Sequence, residues 1–390
     1  MEFELSNEQR VYFGLEPIGA NWEKVSLKGD TYRKESILYF DGDVLKRHLF
    51  PYSNSYKEIQ YNEITRERQY LMPKTSKGKE RKITASVLES ITPVGVYLSI
   101  DQYLLIGNHT TQTTFYSGYW EKSDTEKNEN VPQKVNEFIT ASDANHLQEI
   151  LAFKNAKRKN IKYKTGDIFA FKLNRNEYGF GRILLDIDKL RKKNLLPEQH
   201  GFHSILGTAL LINVYAFTSK SKSIDIQELS DRPLLPSQYI MDNHLFYGEY
   251  EIIGHTEIKE EELEFPISYG SNLKRYSETV LLQWGIINLE KPSNLSHKYL
   301  QSDTKPNFEN PYGHHGIGFN IIYTKNDILA TAKNGFFSFD SHQHFKSKFD
   351  LRNPKNNYIR REIFEVFGLN PDLGYIENCR LTNTPPTIKI

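Results

Sequence analysis

Residues 166–184 read GDIFAFKLNRNEYGFGRIL. A Gly-Asp pair opens an apolar, aromatic run, a polar Asn-rich segment interrupts it, and a second apolar run continues from Arg182 through RILLDI. Two short β-prone runs around a polar turn predict an antiparallel hairpin. The pattern repeats outward. Upstream, Ile37 to Phe40 and Val44 to Phe50 flank Asp41-Gly42-Asp43, and an Asp-Gly between such runs is a strong hairpin signal. Tyr70 to Met72, the loop KTSKGK and Ile83 to Leu88 predict a second hairpin, Val94 to Ile100 with Tyr103 to Ile106 a third, and Thr110 to Tyr119 a further strand. Downstream, Ala209 to Phe217, His244 to Gly254 and part of Arg275 to Leu289 read as strands. The strand–helix alternation of a doubly wound parallel sheet is missing. The expected fold is therefore α+β, predominantly antiparallel β modules with a few short helices concentrated near the C-terminus.

The helical signals are local. Ser6 with Gln9 makes a capping-box pattern, and Gly14 is a natural stop. Ser142 or Asp143 caps a predicted helix with Leu147, Ile150 and Leu151 on one face. It ends in the basic run Lys154, Lys157, Arg158, Lys159, Lys162 and Lys164, which reads as a solvated helix end. The polar stretch EKSDTEKNENVPQK before it reads as a linker. Thr324 to Gly335 predicts a short helix capped by Thr324 or Asn326. Asn357 to Gly368 predicts a clearer one, with Ile359, Ile363, Phe364 and Phe367 on one face and Pro371 beyond its end. The expected organisation is a β-rich module over 1–122, a linker and helix over 123–160, a second β-rich domain over 161–290, and a C-terminal extension over 291–390 packed on it.

Composition narrows the function. Among 390 residues, 50 Lys+Arg balance 49 Asp+Glu, so no global field draws the chain to nucleic acid or an anionic membrane. Aromatics make up 13%, an anchor-rich load foreign to disordered chains. The single Cys excludes a disulfide framework and a Cys-based zinc site. MEFELSNEQR carries no secretory pattern and no run of about 18 apolar residues occurs, so a soluble cytoplasmic protein is expected, with the Asn108 and Asn294 sequons as chance matches. Walker-type and dinucleotide glycine motifs, H-E-x-x-H and the G-x-S-x-G elbow are all absent. No cofactor and no catalytic residue is expected.

Three features carry chemistry. The acidic run EIKEEELEF follows a predicted strand; it reads either as a soluble edge or as a contact patch for a basic partner, through Glu260, Glu261, Glu262 and Glu264. The late histidines His314, His315, His342 and His344 suggest a metal-dependent hydrolase, because His342-x-His344 on a strand would place both imidazoles on one face. The candidate ligands are His314, His342 and His344. The loop KGKERK, with Lys74, Lys77, Lys79, Arg81 and Lys82, suggests a nucleic-acid-binding module, which the net charge disfavours.

The stretch from about Lys164 to Gly270 resembles the immunity protein 26 family, found beside bacterial polymorphic toxins. The resemblance rests on GDIFAFKLNRNEYGFGRIL, then TALLINVYAF, LFYGEYEIIGHTEI and Phe265-Pro266 in that order; YIRREIFEVFGLNPDLGYIEN also looks like tails of such proteins. It implies stoichiometric binding of a cognate toxin domain in the cytoplasm of the producing cell, rather than catalysis.

Overall fold

The computed structural model describes residues 3–121, 130–271, 279–292, 297, 299–300, 318–339 and 350–387. The chain divides into two compact units, Met1–Asn160 with Tyr247–Glu249, and Ile161–Phe246 with Tyr250–Ile390. Every strand pairing among the described residues is antiparallel, as expected of the α+β class.

In the first unit, β1 (Glu23–Leu27), β2 (Ser36–Asp41), β3 (Val44–Pro51) and β4 (Tyr56–Arg66) continue through β7 (Val94–Ile100), β8 (Leu104–Asn108) and β9 (Thr113–Ser117). The short β5 (Tyr70–Leu71) and β6 (Arg81–Lys82) branch from β4. Gly42, at a φ of 58°, turns the β2–β3 hairpin. Strand alternation builds two cores. Tyr39 faces one with Val96, Leu98, Ile106 and Val135, while its neighbours Leu38 and Phe40 face the other with Leu45, Ile59 and Leu88. Helices α1 (Asn7–Tyr12), α3 (Val131–Thr140) and α4 (His146–Lys154) contribute to the first core, and α2 (Ala85–Glu89) to the second.

Within this unit Glu58 is fully buried between two guanidiniums. Arg10 Nε donates to its Oε1 at 3.0 Å, Arg47 Nε lies 3.4 Å from the same oxygen, and the Tyr56 hydroxyl donates to Oε2. Burial alone would push both arginines down. It does so at Arg47, whereas the charge of Glu58 reverses it and raises Arg10.

Three expectations are corrected here. Ile83 to Leu88 is not a second strand: β6 ends at Lys82, and the Thr84 hydroxyl accepts from Val87 N–H to start α2. The predicted linker ends inside a helix. Asn130 and Gln133 form a capping box, Pro132 sits in the first turn, and Val131, Val135 and Phe138 are buried along α3. In α4 the buried pair is His146 and Ile150, so Leu147 and Leu151 face outward. His146 Nε2 lies 2.7 Å from the Tyr12 carbonyl, and that polar contact fixes the helix's rotation.

The second unit holds a five-stranded sheet ordered β13-β12-β11-β10-β14 and a three-stranded sheet β15-β16-β17. The first comprises β10 (Asp167–Lys172), β11 (Tyr178–Asp186), β12 (Ala209–Ser219), β13 (Leu234–Met241) and β14 (Glu251–His255); the second comprises β15 (Ile267–Ser271), β16 (Thr279–Trp284) and β17 (Ile287–Pro292). The helices are α5 (Ile187–Lys192), α6 (Asn243–Phe246), α7 (Ile321–Asn334), α8 (Asn357–Phe367) and α9 (Tyr375–Leu381). The opening hairpin explains its own sequence. Phe169 pairs with Gly181 and Phe171 with Gly179. A Cβ at Gly181 would lie 2.5 Å from the Phe169 ring, and one at Gly179 2.7 Å from Phe171. The two glycines leave room for rings that cross from the neighbouring strand.

One core joins Leu211 and Tyr239 of the larger sheet, Leu282 and Trp284 of the smaller, Phe265 just before β15, and Ile363, Phe364 and Tyr375 of the last two helices. Helix α8 has the predicted face, with Ile359, Ile363, Phe364 and Phe367 all buried and Gly368 closing it at a φ of 73°. Helix α7 starts at Ile321 rather than Thr324, because the Asn320 side chain accepts from Ile322 N–H. Helix α9 was not expected, and helices lie only partly toward the C-terminus.

Two stability measurements follow. Phe364 is fully buried with its ring 5.4 Å from Trp284, so Phe364→Ala should cost about 3–5 kcal/mol in urea unfolding. An unchanged midpoint would show that α8 is not docked. Burial depresses His48 to about 3 and His200 to about 4, so both are neutral in the folded state. The unfolded imidazoles protonate near 6.5. Their stabilisation is complete above that pH and is lost as pH falls toward the folded values. The unfolding midpoint should therefore drop from pH 7 to pH 4.5. His48→Phe should reduce the proton uptake on unfolding by about one over that range, and an unaltered pH slope would refute the assignment.

Candidate interaction site

The site grows from Arg182, the polar residue of β11 between Phe180 and Leu184. It lies across from Ile168 on β10 and Asn213 on β12. Its guanidinium is nearly buried and reaches the acidic run. Nη1 donates to Glu262 Oε1 at 2.9 Å, and Nη2 donates to Glu262 Oε2 at 3.2 Å and to the Glu257 carbonyl at 2.8 Å. Glu262 Oε2 also accepts from Lys259 N–H, which closes the 3₁₀ turn Glu260–Glu262. The Arg182 hydrogen bonds hold the Glu262 carboxyl below its ordinary range.

Two residues on, Glu264 reaches the free side of β13, an edge strand. Its Oε2 accepts from Ser237 N–H at 2.5 Å, and its Oε1 accepts from Arg352 Nη1 at 2.7 Å. Arg352 Nη1 donates in turn to the Ser237 carbonyl at 2.9 Å. Arg352 Nε and Nη2 hold the buried Asp350 carboxylate at 3.0 and 2.8 Å. Burial would lower the Arg352 guanidinium; Asp350 and Glu264 overturn that and raise it.

The structure thus divides the four acidic candidates. Glu260 and Glu261 are exposed, as is Glu257, whereas Glu262 and Glu264 are half-buried and ion-paired. Glu262 and Glu264 also line a cleft of about 280 Å³ whose other walls include Asn213, Leu234, Leu235, Pro236, Phe337, Phe339 and Arg352. Sequence reasoning missed Asn213, Arg352 and the phenylalanines, which no motif joins to the acidic run.

Other features lie elsewhere. The Gly-Asp start of β10 is a clasp: Asp167 Oδ2 accepts from Lys164 N–H at 2.9 Å, and Oδ1 lies 2.8 Å from His255 Nδ1 on β14. In the basic loop, Glu80 pairs with Arg66 at 2.7 Å and with Lys74 at 3.6 Å, partly offsetting Lys77, Lys79, Arg81 and Lys82. His314, His315, His342 and His344 lie outside the described residues. Among the described residues, no group of three or more His, Cys, Asp or Glu is placed to hold a metal ion, and no helix is long and apolar enough to cross a membrane.

Residues 164–274 match the model of the family described as Immunity protein 26. The match takes in the 166–184 hairpin, Arg182, Asn213 and the whole acidic run, and it ends before α7 and α8. No curated protein and no solved structure matches the chain.

The division among the glutamates can be measured. Glu262→Lys leaves the buried Arg182 facing a like charge and should destabilise by about 2 kcal/mol, between the limits for exposed and buried pairs. Glu260→Lys should stay within about 0.5 kcal/mol of the parent. Equal unfolding midpoints for the two variants would contradict the structural role of Glu262.

Proposed function

We propose that this protein is an immunity protein that binds and neutralises a cognate toxin of a bacterial polymorphic toxin system, stoichiometrically and without turnover, in the cytoplasm of the producing cell. The observation that carries this reading is the family match over residues 164–274. The surface of that segment supports it. Glu257, Glu260 and Glu261 stand exposed around the cleft-lining Glu262 and Glu264. A toxin that acts on nucleic acid must present basic residues to hold phosphates. An acidic surface competes for those residues and steers association. In this reading Glu260 and Glu261 meet the toxin at the rim, and Glu262 and Glu264 meet it in the cleft.

The test is co-expression of this chain with the cognate toxin domain, followed by binding kinetics. Reversing Glu257, Glu260 and Glu261 to Lys should leave the unfolding midpoint in place and lower the association rate about tenfold or more at low salt, with the gap closing as salt rises. Full protection at unchanged rate would discard the acidic rim. Protection by the parent chain at a small fraction of the toxin concentration would instead indicate catalysis.

A further inference from the structure

We infer that the solvent face of the short ribbon formed by the end of β4 with β5 and β6 binds single-stranded nucleic acid, with lysines placed for phosphates and a ring–guanidinium platform for a base. The ribbon lies in the first unit, outside residues 164–274, so the inference is independent of the immunity reading. The first observation is register. Arg66 is opposite Tyr70, and Tyr70 is opposite Lys82, so the three side chains form one row across the ribbon. Opposite positions of an antiparallel pair share a face. The other face belongs to Leu71, which is fully buried in the second core and has Arg81 as its register partner. The Arg66–Tyr70–Lys82 row therefore points away from that core.

The second observation is a platform. The Arg66 guanidinium lies over the Tyr70 ring, 5.0 Å from its centroid. Its Nη2 donates to Glu80 Oε1 at 2.7 Å, which holds the guanidinium in place. Aromatic rings and guanidinium planes both stack on nucleobases, and a single strand is the form whose bases are open to such stacking. An acidic protein surface would use the charge of this face but not its planes.

The third is charge held in place. Residues 66–82 carry seven cations against two carboxylates, Glu67 and Glu80. Arg68 is spent on Glu23, and Glu80 is shared by Arg66 and Lys74. Lys77, Lys79 and Lys82 are exposed and make no ion pair among the described residues. Lys77 and Lys79 stand on a closed turn. Thr75 N–H donates to the Lys79 carbonyl at 2.9 Å, Lys79 N–H donates to Thr75 Oγ1 at 2.9 Å, and Gly78 takes a φ of 75°. A loop already ordered loses little freedom on binding. The near-neutral charge of the whole chain does not cancel this patch, because screening confines its field to about 8 Å at physiological salt.

The experiment is fluorescence anisotropy of the full chain with labelled oligothymidylate, oligouridylate and a DNA duplex of equal length. Both single strands should bind saturably and more tightly than the duplex, with affinity falling as salt rises; the tighter of the two shows whether DNA or RNA is preferred. Reversing Lys77, Lys79 and Lys82 to Glu should weaken single-strand binding at least tenfold. Reversing Lys193, Lys220 and Lys333, exposed lysines of the second unit, makes the same change in net charge and should leave it within about twofold. Tyr70→Leu should weaken the single strands about fivefold and leave the duplex unchanged. Thermal unfolding checks that each variant is folded. The inference is overturned by the absence of saturable binding, by a duplex that binds as tightly as the single strands, or by equal losses in the two charge-reversed variants. Polyglutamate that displaces the labelled strand as well as unlabelled strand does would assign the face to an acidic protein and overturn it too.

Discussion

Ser237 sits in an edge strand, where a free N–H and C=O invite pairing with another chain. Glu264 accepts the first and Arg352 donates to the second, while the two side chains pair with each other. The ion pair occupies the place of a neighbouring strand. It also joins three parts of the second unit. Glu264 lies between the five-stranded sheet and β15, Arg352 precedes α8, and Asp350 is buried behind it. The shared core of Tyr239, Phe265, Trp284 and Phe364 forms around this junction. Breaking it exposes a strand edge and strands a buried charge, so the interaction protects against misassociation as well as stabilising the fold.

The same economy appears in the opening hairpin. Gly179 and Gly181 cede their side-chain volume to Phe171 and Phe169. That crowding occupies one face of β11, and Arg182 takes the other, opposite Asn213. Once Arg182 is there, its guanidinium needs an acceptor in a nearly dry setting, and the turn at Glu262 supplies it. The acidic run is therefore partly a consequence of the hairpin: one of its carboxylates neutralises an arginine that the strand alternation buries.

Much of this was legible in advance. The Asp41-Gly42 hairpin, the Val94 to Ile106 hairpin and the tail helix ending at Gly368 follow from local rules, and the structure has them. The misses have physical reasons. Helix α3 carried an Asn130–Gln133 capping box, but the charge-rich residues before it masked the signal. The rotation of α4 depends on His146 bonding to Tyr12, more than a hundred residues away, and no helical periodicity encodes that. The acidic run was visible as charge, but its division into paired and exposed glutamates required knowing where Arg182 and Arg352 fall. Asn213 carries no signal in the chain; only its burial beside Arg182 distinguishes it.

That division sets what the surface can vary. Replacing Glu262 or Glu264 disturbs a buried guanidinium and, at Glu264, the closed edge of β13. Replacing Glu257, Glu260 or Glu261 disturbs only solvent-facing charge, where substitutions are nearly free of folding cost. Rim charge acts on encounter rate and on rejection of wrong partners, whereas a desolvated polar anchor acts on residence time. In this segment the two kinds of group lie within eight residues of each other, and only the ion-paired kind is tied to buried guanidiniums. The rim can therefore be re-patterned without loss of the scaffold, while the cleft keeps the geometry that Arg182, Arg352 and the sheet edge impose on it.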